Sequence, residues 1–213
     1  MLIESKTIKP LTLDSQGTYI SVLPFEQTAH LMLRIADACG IERPEQDELH
    51  CTLMYAPDSK LVSPVAQSDT VYTAVVDDVK FWKSASGKGY VVVTLKSPQL
   101  MRRHKEWTNR GLKHTYSDYT PHITLAEDIE LSAVQEFNLV NAAEKFKGQS
   151  VMLTDETLEG INKDYNLSPK DPVVKEVAFE ETRLRAASRL KSTAYQCKAC
   201  GVQAATKVCA CTN

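Results

Sequence analysis

"HCTL" at residues 50–53 returns later in the chain as "HITL" at residues 122–125. The chain contains only five histidines, and two of them open these matching tetrapeptides. Both tetrapeptides lie in runs of β-forming residues, so each is predicted to lie on a strand. On a strand, residues i and i+2 point to the same face, so each His projects together with the Thr that follows it. The residue between them and the Leu then face the core.

Two such strands, brought together, predict a pocket with two imidazoles and two hydroxyls. One neutral His can remove a proton from an attacking oxygen while the other, protonated, donates to a leaving oxygen. The Thr hydroxyls can donate to the non-bridging oxygens of a phosphate. This set suits phosphodiester cleavage without a metal. Chance burial of both motifs and a metal site on the histidines stay open as alternatives. The candidate catalytic residues are His50, Thr52, His122 and Thr124.

Periodicity and turn residues around the tetrapeptides predict an α+β domain with the element order β-α-β-β-β-α-β-β. A helix precedes each motif strand by a short connection, so two similar β/α halves are expected. The domain is predicted to span residues 1–170. The predicted strands cover 17–25, 48–57, 119–129 and 149–161, with further strands within 69–98, and the predicted helices cover 26–40 and 98–112.

Composition narrows the function classes. The 213-residue chain has 43% hydrophobic and 24% charged residues and a net charge of −2. A protein that binds long DNA or RNA usually needs a clear cationic excess, so a long nucleic acid is an unfavoured partner. No apolar run approaches the length of a signal peptide core or a membrane span, so a cytoplasmic protein without membrane contact is expected. The oligomeric state is left open.

The two motifs resemble those of the 2H phosphoesterase superfamily, whose members have a bilobal fold with one His-x-Thr/Ser motif from each half. The run "GLKHTYSDYTPHITLAEDI" at 111–129 narrows the likeness, with His114, Tyr116, Tyr119 and Pro121 before the second motif. This run is similar to that of the anti-CBASS phosphodiesterases of tailed phages, as is "LHCTLMY" at 49–55. The likeness covers about residues 15–166.

The resemblance implies an enzyme that cuts cyclic di- and trinucleotides, cGAMP among them, which bacteria use as antiviral alarm signals. The implied chemistry needs no cofactor. A ribose 2′-hydroxyl attacks the neighbouring 3′–5′ phosphodiester in line, and a linear product with a terminal phosphate results. His50 and His122 would be base and acid in an unassigned order. Two alternatives stay open, namely a 2H enzyme for RNA 2′,3′-cyclic ends and a binding module without turnover.

The same resemblance implies four substrate-binding residues. Tyr19 matches a pocket tyrosine, and Trp82 is placed to stack on a base. Glu159 and Tyr165 match a glutamate and an aromatic six residues later, where the family has tryptophan. Each also admits a packing or solvent-exposed role.

Residues 171–213 form a predicted extension with a different character. A moderately amphipathic helix is expected within 170–195, followed by four cysteines in the last 17 residues. Four thiolates can bind Zn²⁺ tetrahedrally, and a Cys-x-x-Cys-Gly turn is a common knuckle. A disordered or redox-sensitive tail is the alternative. The candidate zinc ligands are Cys197, Cys200, Cys209 and Cys211.

Overall fold

An antiparallel β-sheet with three helices forms the part of the chain described by the computed structural model. The described residues are 17–59, 70–84, 87–116 and 118–161, together with the backbone of 173–174, 195–196 and 203–204. The α+β class predicted from the sequence is confirmed. The elements are β1 (Gly17–Pro24), α1 (Glu26–Cys39), β2 (Cys51–Ala56), β3 (Tyr72–Ser84), β4 (Gly89–Lys96), α2 (Pro98–Asn109), β5 (His122–Glu127), α3 (Ala133–Phe146), β6 (Ser150–Ile161), β7 (Val173–Val174), β8 (Tyr195–Gln196) and β9 (Gln203–Ala204).

The six long strands follow one another in the order β4-β5-β2-β1-β6-β3, and β3 also pairs with β4. The length of β3 makes both pairings possible. Its first residues, Tyr72 to Val75, pair with β6, and the segment from Val75 to Lys83 pairs with β4. The neighbour relations of the six strands therefore close into a ring.

This ring has an internal two-fold relation. Exchanging β1 with β4, β2 with β5 and β6 with β3 leaves every strand pairing unchanged. Helix α1 connects β1 to β2, just as α2 connects β4 to β5. Each half thus contains two strands joined by a helix, and the second strand carries one tetrapeptide. The first motif strand, predicted over 48–57, begins at Cys51, so His50 lies one residue before it.

One face of the sheet is buried under the helices. Leu31 and Ile35 lie on the buried side of α1, as the helical period predicts, and Ala38 packs partly buried against the same core. Gly40 ends this helix with a φ of 70°, a left-handed conformation that glycine adopts without a Cβ penalty. The core of the second half includes Trp107 of α2, which is fully buried.

Helix α3 was not predicted. Its start carries a capping box, in which the Ser132 hydroxyl accepts from the Gln135 N–H and the Gln135 side chain accepts from the Ser132 N–H. The Gln135 side chain also donates to the Gly40 carbonyl at 2.9 Å, which links α3 to the end of α1. The Ser-x-x-Gln spacing was the signal in the sequence that identifies this helix.

A buried ion pair connects the two halves. Arg103 of α2 donates to both carboxylate oxygens of Glu156 on β6, each at 2.8 Å. The Tyr72 hydroxyl donates to the same carboxylate at 2.7 Å, and the guanidinium lies over the Trp107 ring. Since the Arg103 side chain is 4% exposed and that of Glu156 is 0% exposed, neither charge can be solvated by water if the other is lost.

We predict that Glu156→Gln lowers the free energy of unfolding by about 3–5 kcal/mol, because the buried Arg103 loses its buried counter-charge and keeps the pair with Glu106, whose side chain is 46% exposed. Chemical denaturation monitored by circular dichroism measures the change. Asp37→Asn is the matched control, since it breaks the exposed pair between Asp37 and Arg43. Equal shifts of the unfolding midpoint in the two variants would contradict the structural role of the buried pair.

Candidate active site

The two tetrapeptides meet at the single residue pair that joins β2 to β5, Cys51 opposite Ile123. Both residues are fully buried. Continuing this antiparallel register by one residue in each direction places His50 opposite Thr124 and Thr52 opposite His122. Because side chains alternate along a strand, these four residues lie on the face opposite the core, and all four are partly exposed. The structure therefore brings together the four residues predicted from the sequence.

Each motif strand contains a β-bulge at the fourth residue of its tetrapeptide. The pairing of β1 with β2 shifts register where Leu53 is the extra residue, and that of β4 with β5 shifts where Leu125 is. Both leucines are buried, as predicted. A bulge interrupts the strict alternation and changes where the following side chains point. In β2 it lets Leu53 and the next residue, Met54, both lie in the core.

The first bulge determines the face of β2 on which Tyr55 lies. This residue was not identified from the sequence. It pairs with Tyr19 across β1 and β2, and the two rings meet edge to face at 6.3 Å. Without the bulge, Tyr55 would fall on the core face. The signal in the sequence was the doublet Leu53-Met54, two consecutive apolar residues in a strand that otherwise alternates.

Both motif imidazoles are oriented by a backbone carbonyl two residues upstream. His50 Nδ1 lies 2.7 Å from the Glu48 carbonyl oxygen, and His122 Nδ1 lies 2.8 Å from that of Thr120. A carbonyl oxygen only accepts, so Nδ1 carries the proton in both rings. In the neutral form of each ring, Nε2 is then left as a proton acceptor. Each histidine thus has the tautomer that a general base needs.

Thr52 is positioned through its side chain by Tyr19. The Tyr19 hydroxyl lies 2.9 Å from Thr52 Oγ1, and its ring packs edge-on to the imidazole of His50 at 6.1 Å. Burial raises the pKa of Tyr19, so it remains a neutral phenol near pH 7. The predicted pocket tyrosine therefore lies beside both residues of the first motif.

The cysteine within the first motif is not a candidate nucleophile. Burial raises the pKa of the Cys51 thiol to about 12. A thiol with this pKa is protonated at neutral pH and is correspondingly unreactive. Its position on the core face of β2 is the one that the alternation predicts.

Trp82 contacts the second motif. Its ring centroid is 4.6 Å from that of His122, with the planes 65° apart, and the residue is 6% exposed. On β3 it lies directly opposite Tyr90 of β4. Trp82 therefore packs against the His122 ring. Little of the Trp82 side chain is left exposed for stacking on a ligand base.

Glu159 and Tyr165 are the remaining two candidate binding residues. Glu159 is exposed on β6 and lies opposite Tyr19 of β1. Tyr165 lies outside the described residues. The Ser21 and Thr157 hydroxyls are 2.7 Å apart, a polar contact that the sequence did not predict. Ser21 lies on β1 between Thr52 of β2 and Thr157 of β6.

The four tail cysteines lie outside the described residues. So does the helix predicted within 170–195, apart from the backbone of 173–174 and 195. Residues 173–174, which form β7, pair with the end of β3. Strands β8 and β9, which flank residues 197–202 in the sequence, pair with each other. Within the described ranges, no three His, Cys, Asp or Glu side chains converge as metal ligands would. None of the described helices is long and apolar enough to cross a membrane.

The tautomers of three histidines give a direct test of this geometry. We predict that neutral His50 and His122 carry their proton on Nδ1, since each faces a carbonyl oxygen. His114 is the internal control with the opposite tautomer, because its Nδ1 accepts from the Tyr55 N–H at 3.1 Å. Long-range ¹H–¹⁵N correlation spectra above pH 7.5 distinguish the two forms. The same tautomer in all three rings would contradict the site geometry.

Comparison with known families and proteins gives a consistent result. Residues 16–168 match the family described as "Anti-CBASS protein Acb1". The chain is 30% identical to the anti-CBASS protein Acb1 of Vibrio phage KVP40 over 154 residues, which cover 72% of this chain and 93% of that protein. It is 28% identical to the protein of the same name from Enterobacteria phage T4 over 116 residues, 54% of this chain and 74% of that protein. It is 25% identical to the anti-CBASS protein Acb1 of Acinetobacter phage Ac42 over 155 residues, which cover 72% of this chain and 95% of that protein. The chain therefore belongs to the anti-CBASS protein Acb1 family.

Proposed function

We propose that the chain is a metal-independent phosphodiesterase of the 2H type, with a bilobal 2H-like fold, that opens cyclic di- and trinucleotides. By removing these messengers it would counter CBASS antiviral immunity in bacteria. The observation that carries the proposal is the register of Cys51 with Ile123, which sets two His-Thr pairs face to face. The names of the phage relatives agree with an anti-CBASS role.

The proposed first step is an in-line transfer at one phosphodiester. Nε2 of one histidine accepts the proton of the ribose 2′-hydroxyl as the 2′-oxygen forms a bond to phosphorus. The bond from phosphorus to the 5′-oxygen breaks, and the other histidine, protonated, donates a proton to that leaving oxygen. The ring is thereby opened, and the new end is a 2′,3′-cyclic phosphate.

A second step returns the histidines to their starting forms. Water attacks the 2′,3′-cyclic phosphate, and the two imidazoles exchange the roles of base and acid. One bond to the 2′-oxygen is hydrolysed, and the product is a linear nucleotide with a terminal phosphate. His50 and His122 suit both steps because an imidazole can accept or donate a proton at Nε2 while its Nδ1 proton is held by a backbone carbonyl.

The hydroxyl groups have the complementary task. Thr52 and Thr124 lie diagonally across the β2–β5 pair and can donate to the non-bridging oxygens as negative charge moves onto them. The Tyr19 hydroxyl bonds to Thr52 Oγ1 and so limits the rotation of that hydroxyl. Fixed donors cost little reorganisation when the charge develops.

Base recognition is proposed for residues around this centre. Tyr19, Trp82 and Tyr165 are the aromatic candidates, and base stacking contributes about 1–3 kcal/mol per base with little dependence on base identity. The Glu159 carboxylate can accept from N–H groups of guanine or from the adenine amino group.

A net charge of −2 favours a small cyclic nucleotide over a long nucleic acid. The proposed location is the cytoplasm, that of the host cell if the gene is carried by a phage.

Cleavage of 3′,3′-linked cyclic dinucleotides in EDTA, followed by chromatography, tests the proposal. We expect linear product from the unmodified chain, and a loss of turnover of at least about 100-fold in His50→Ala and in His122→Ala, a typical contribution of an acid or base. His30→Ala is the matched control, because His30 is an exposed residue of α1 that pairs with Glu26. It should keep full activity.

Three results would contradict this function. Near-full activity of the double variant would exclude the two-histidine mechanism. Failure to cut any cyclic di- or trinucleotide, together with efficient opening of RNA 2′,3′-cyclic ends, would favour the RNA-end enzyme. Tight binding without turnover would indicate a binding module.

We also propose that the four cysteines of the tail bind a structural zinc ion that takes no part in the reaction. Four thiolates in two close pairs fit the tetrahedral preference of Zn²⁺. Metal analysis of the purified chain should find a single equivalent of zinc, absent from a variant with Ser at all four positions. Cys39→Ala is the control, since this buried thiol lies in α1. Equal zinc content in all three proteins would contradict a site in the tail. The proposed ligands are Cys197, Cys200, Cys209 and Cys211.

A further inference from the structure

Among the described strands, none covers one edge of the first motif strand beyond Cys51. β1 pairs with β2 from Thr18 opposite Ala56 to Val22 opposite Cys51, whereas β5 pairs with β2 only at Cys51. Leu53 and Met54 in the uncovered segment are fully buried. A buried backbone N–H or C=O left without a partner costs about 1–3 kcal/mol. The free edge at residues 52–55 therefore needs hydrogen bonds from elsewhere.

Three aromatic side chains bond this edge, in addition to the Thr115 N–H, which donates to the Tyr55 carbonyl at 3.0 Å. The Tyr119 hydroxyl donates to the Thr52 carbonyl at 3.1 Å, and His104 Nδ1 lies 2.7 Å from the Leu53 carbonyl oxygen. The Tyr55 N–H donates to His114 Nδ1 at 3.1 Å. His104 belongs to α2, and the other two belong to the connection from α2 to β5. We call these three residues the aromatic cluster, and together they bond the β2 backbone at the bulge and on either side of it.

The rings of the aromatic cluster pack as a unit. His104 stacks on Tyr119 with 4.0 Å between centroids and 9° between planes. His114 meets both rings edge-on, at 4.9 Å and 5.9 Å. Since a carbonyl accepts and an N–H donates, His104 holds its proton on Nδ1 and His114 holds its proton on Nε2. Burial lowers the pKa of His104, which favours its neutral form.

The aromatic cluster adds a second support for the first motif. Thr52 is held from two sides, by Tyr19 through its hydroxyl and by Tyr119 through its carbonyl.

We propose that His104, His114 and Tyr119 are positioning residues, which fix the bulge at Leu53 and thereby hold Thr52 and His50 in the geometry for phosphodiester cleavage. The inference rests on the proposed function. A bulge that moves by one residue turns the neighbouring side chains to the other face of the strand. Because β5 pairs with β2 at Cys51, the cluster adds the side-chain bonds that oppose such a shift along residues 52–55, beside the pairing with β1 and the Thr115 bond to Tyr55. Its members need not touch the substrate.

Two single substitutions test this with little change of shape. Tyr119→Phe removes the hydroxyl and keeps the ring that His104 stacks on. His104→Phe keeps a ring and loses the donor, whereas His104→Asn restores an N–H close to the position of Nδ1. Thr108→Val is the control, since the Thr108 hydroxyl lies on the exposed side of α2 and donates to the His104 carbonyl and not to the ring.

We expect kcat on a cyclic dinucleotide to fall about 10- to 100-fold in Tyr119→Phe and His104→Phe with KM nearly unchanged, as for a misplaced catalytic group. His104→Asn should recover most of the loss, and Thr108→Val should show none. Unchanged kcat in both ring variants would overturn the proposal. Equal losses of kcat in His104→Phe and His104→Asn that result only from unfolding would also overturn it.

A measurement without turnover separates this inference from the proposed function. Amide hydrogen exchange of residues 52–55 should rise, and the imidazole ¹H–¹⁵N signals of His50 should shift, in Tyr119→Phe and His104→Phe but not in Thr108→Val. If these signals do not change, the aromatic cluster positions nothing, whatever the activity. If they change as expected while the unmodified chain cuts no cyclic nucleotide, the proposed function fails and the positioning of His50 stands.

Discussion

The antiparallel contact between β2 and β5 is the constraint on which the site depends. It consists of one residue pair, Cys51 opposite Ile123, where the two motif strands are neighbours in the strand ring. The alternation of side chains turns this one contact into a face with two imidazoles and two hydroxyls. A slip of one residue would bury all four groups and expose the core residues instead. The buried pair of Arg103 and Glu156 connects the same two halves and opposes their separation.

The two halves share a topology but give their motifs different surroundings. Tyr19 lies opposite the exposed Glu159, and the corresponding Tyr90 lies opposite the buried Trp82. His50 therefore borders a polar, open part of the site, while His122 packs on an indole ring. The two tetrapeptides are too alike to distinguish the proposed roles of their histidines. Any difference between His50 and His122 comes from these neighbours and from the aromatic cluster that bonds the β2 backbone.

Local patterns predicted most of the fold and the centre of the site. Period-two runs and turn residues predicted the six long strands, and Gly40 correctly marked the end of α1. Helix α3 was missed although Ser132 and Gln135 form its capping box. The bulges, the ring closure through β3 and the contact of Trp82 with His122 depend on residues far apart in the chain, so local patterns could not predict them. Tyr165 and the tail cysteines remain predictions from the sequence.

The most direct test of the central claim is the pH dependence of kcat/KM for a cyclic dinucleotide in EDTA. Two imidazoles that act as base and acid predict a bell-shaped profile with both limbs between about pH 5 and 8. A profile with a single limb, or activity that disappears in the chelator, would contradict the account.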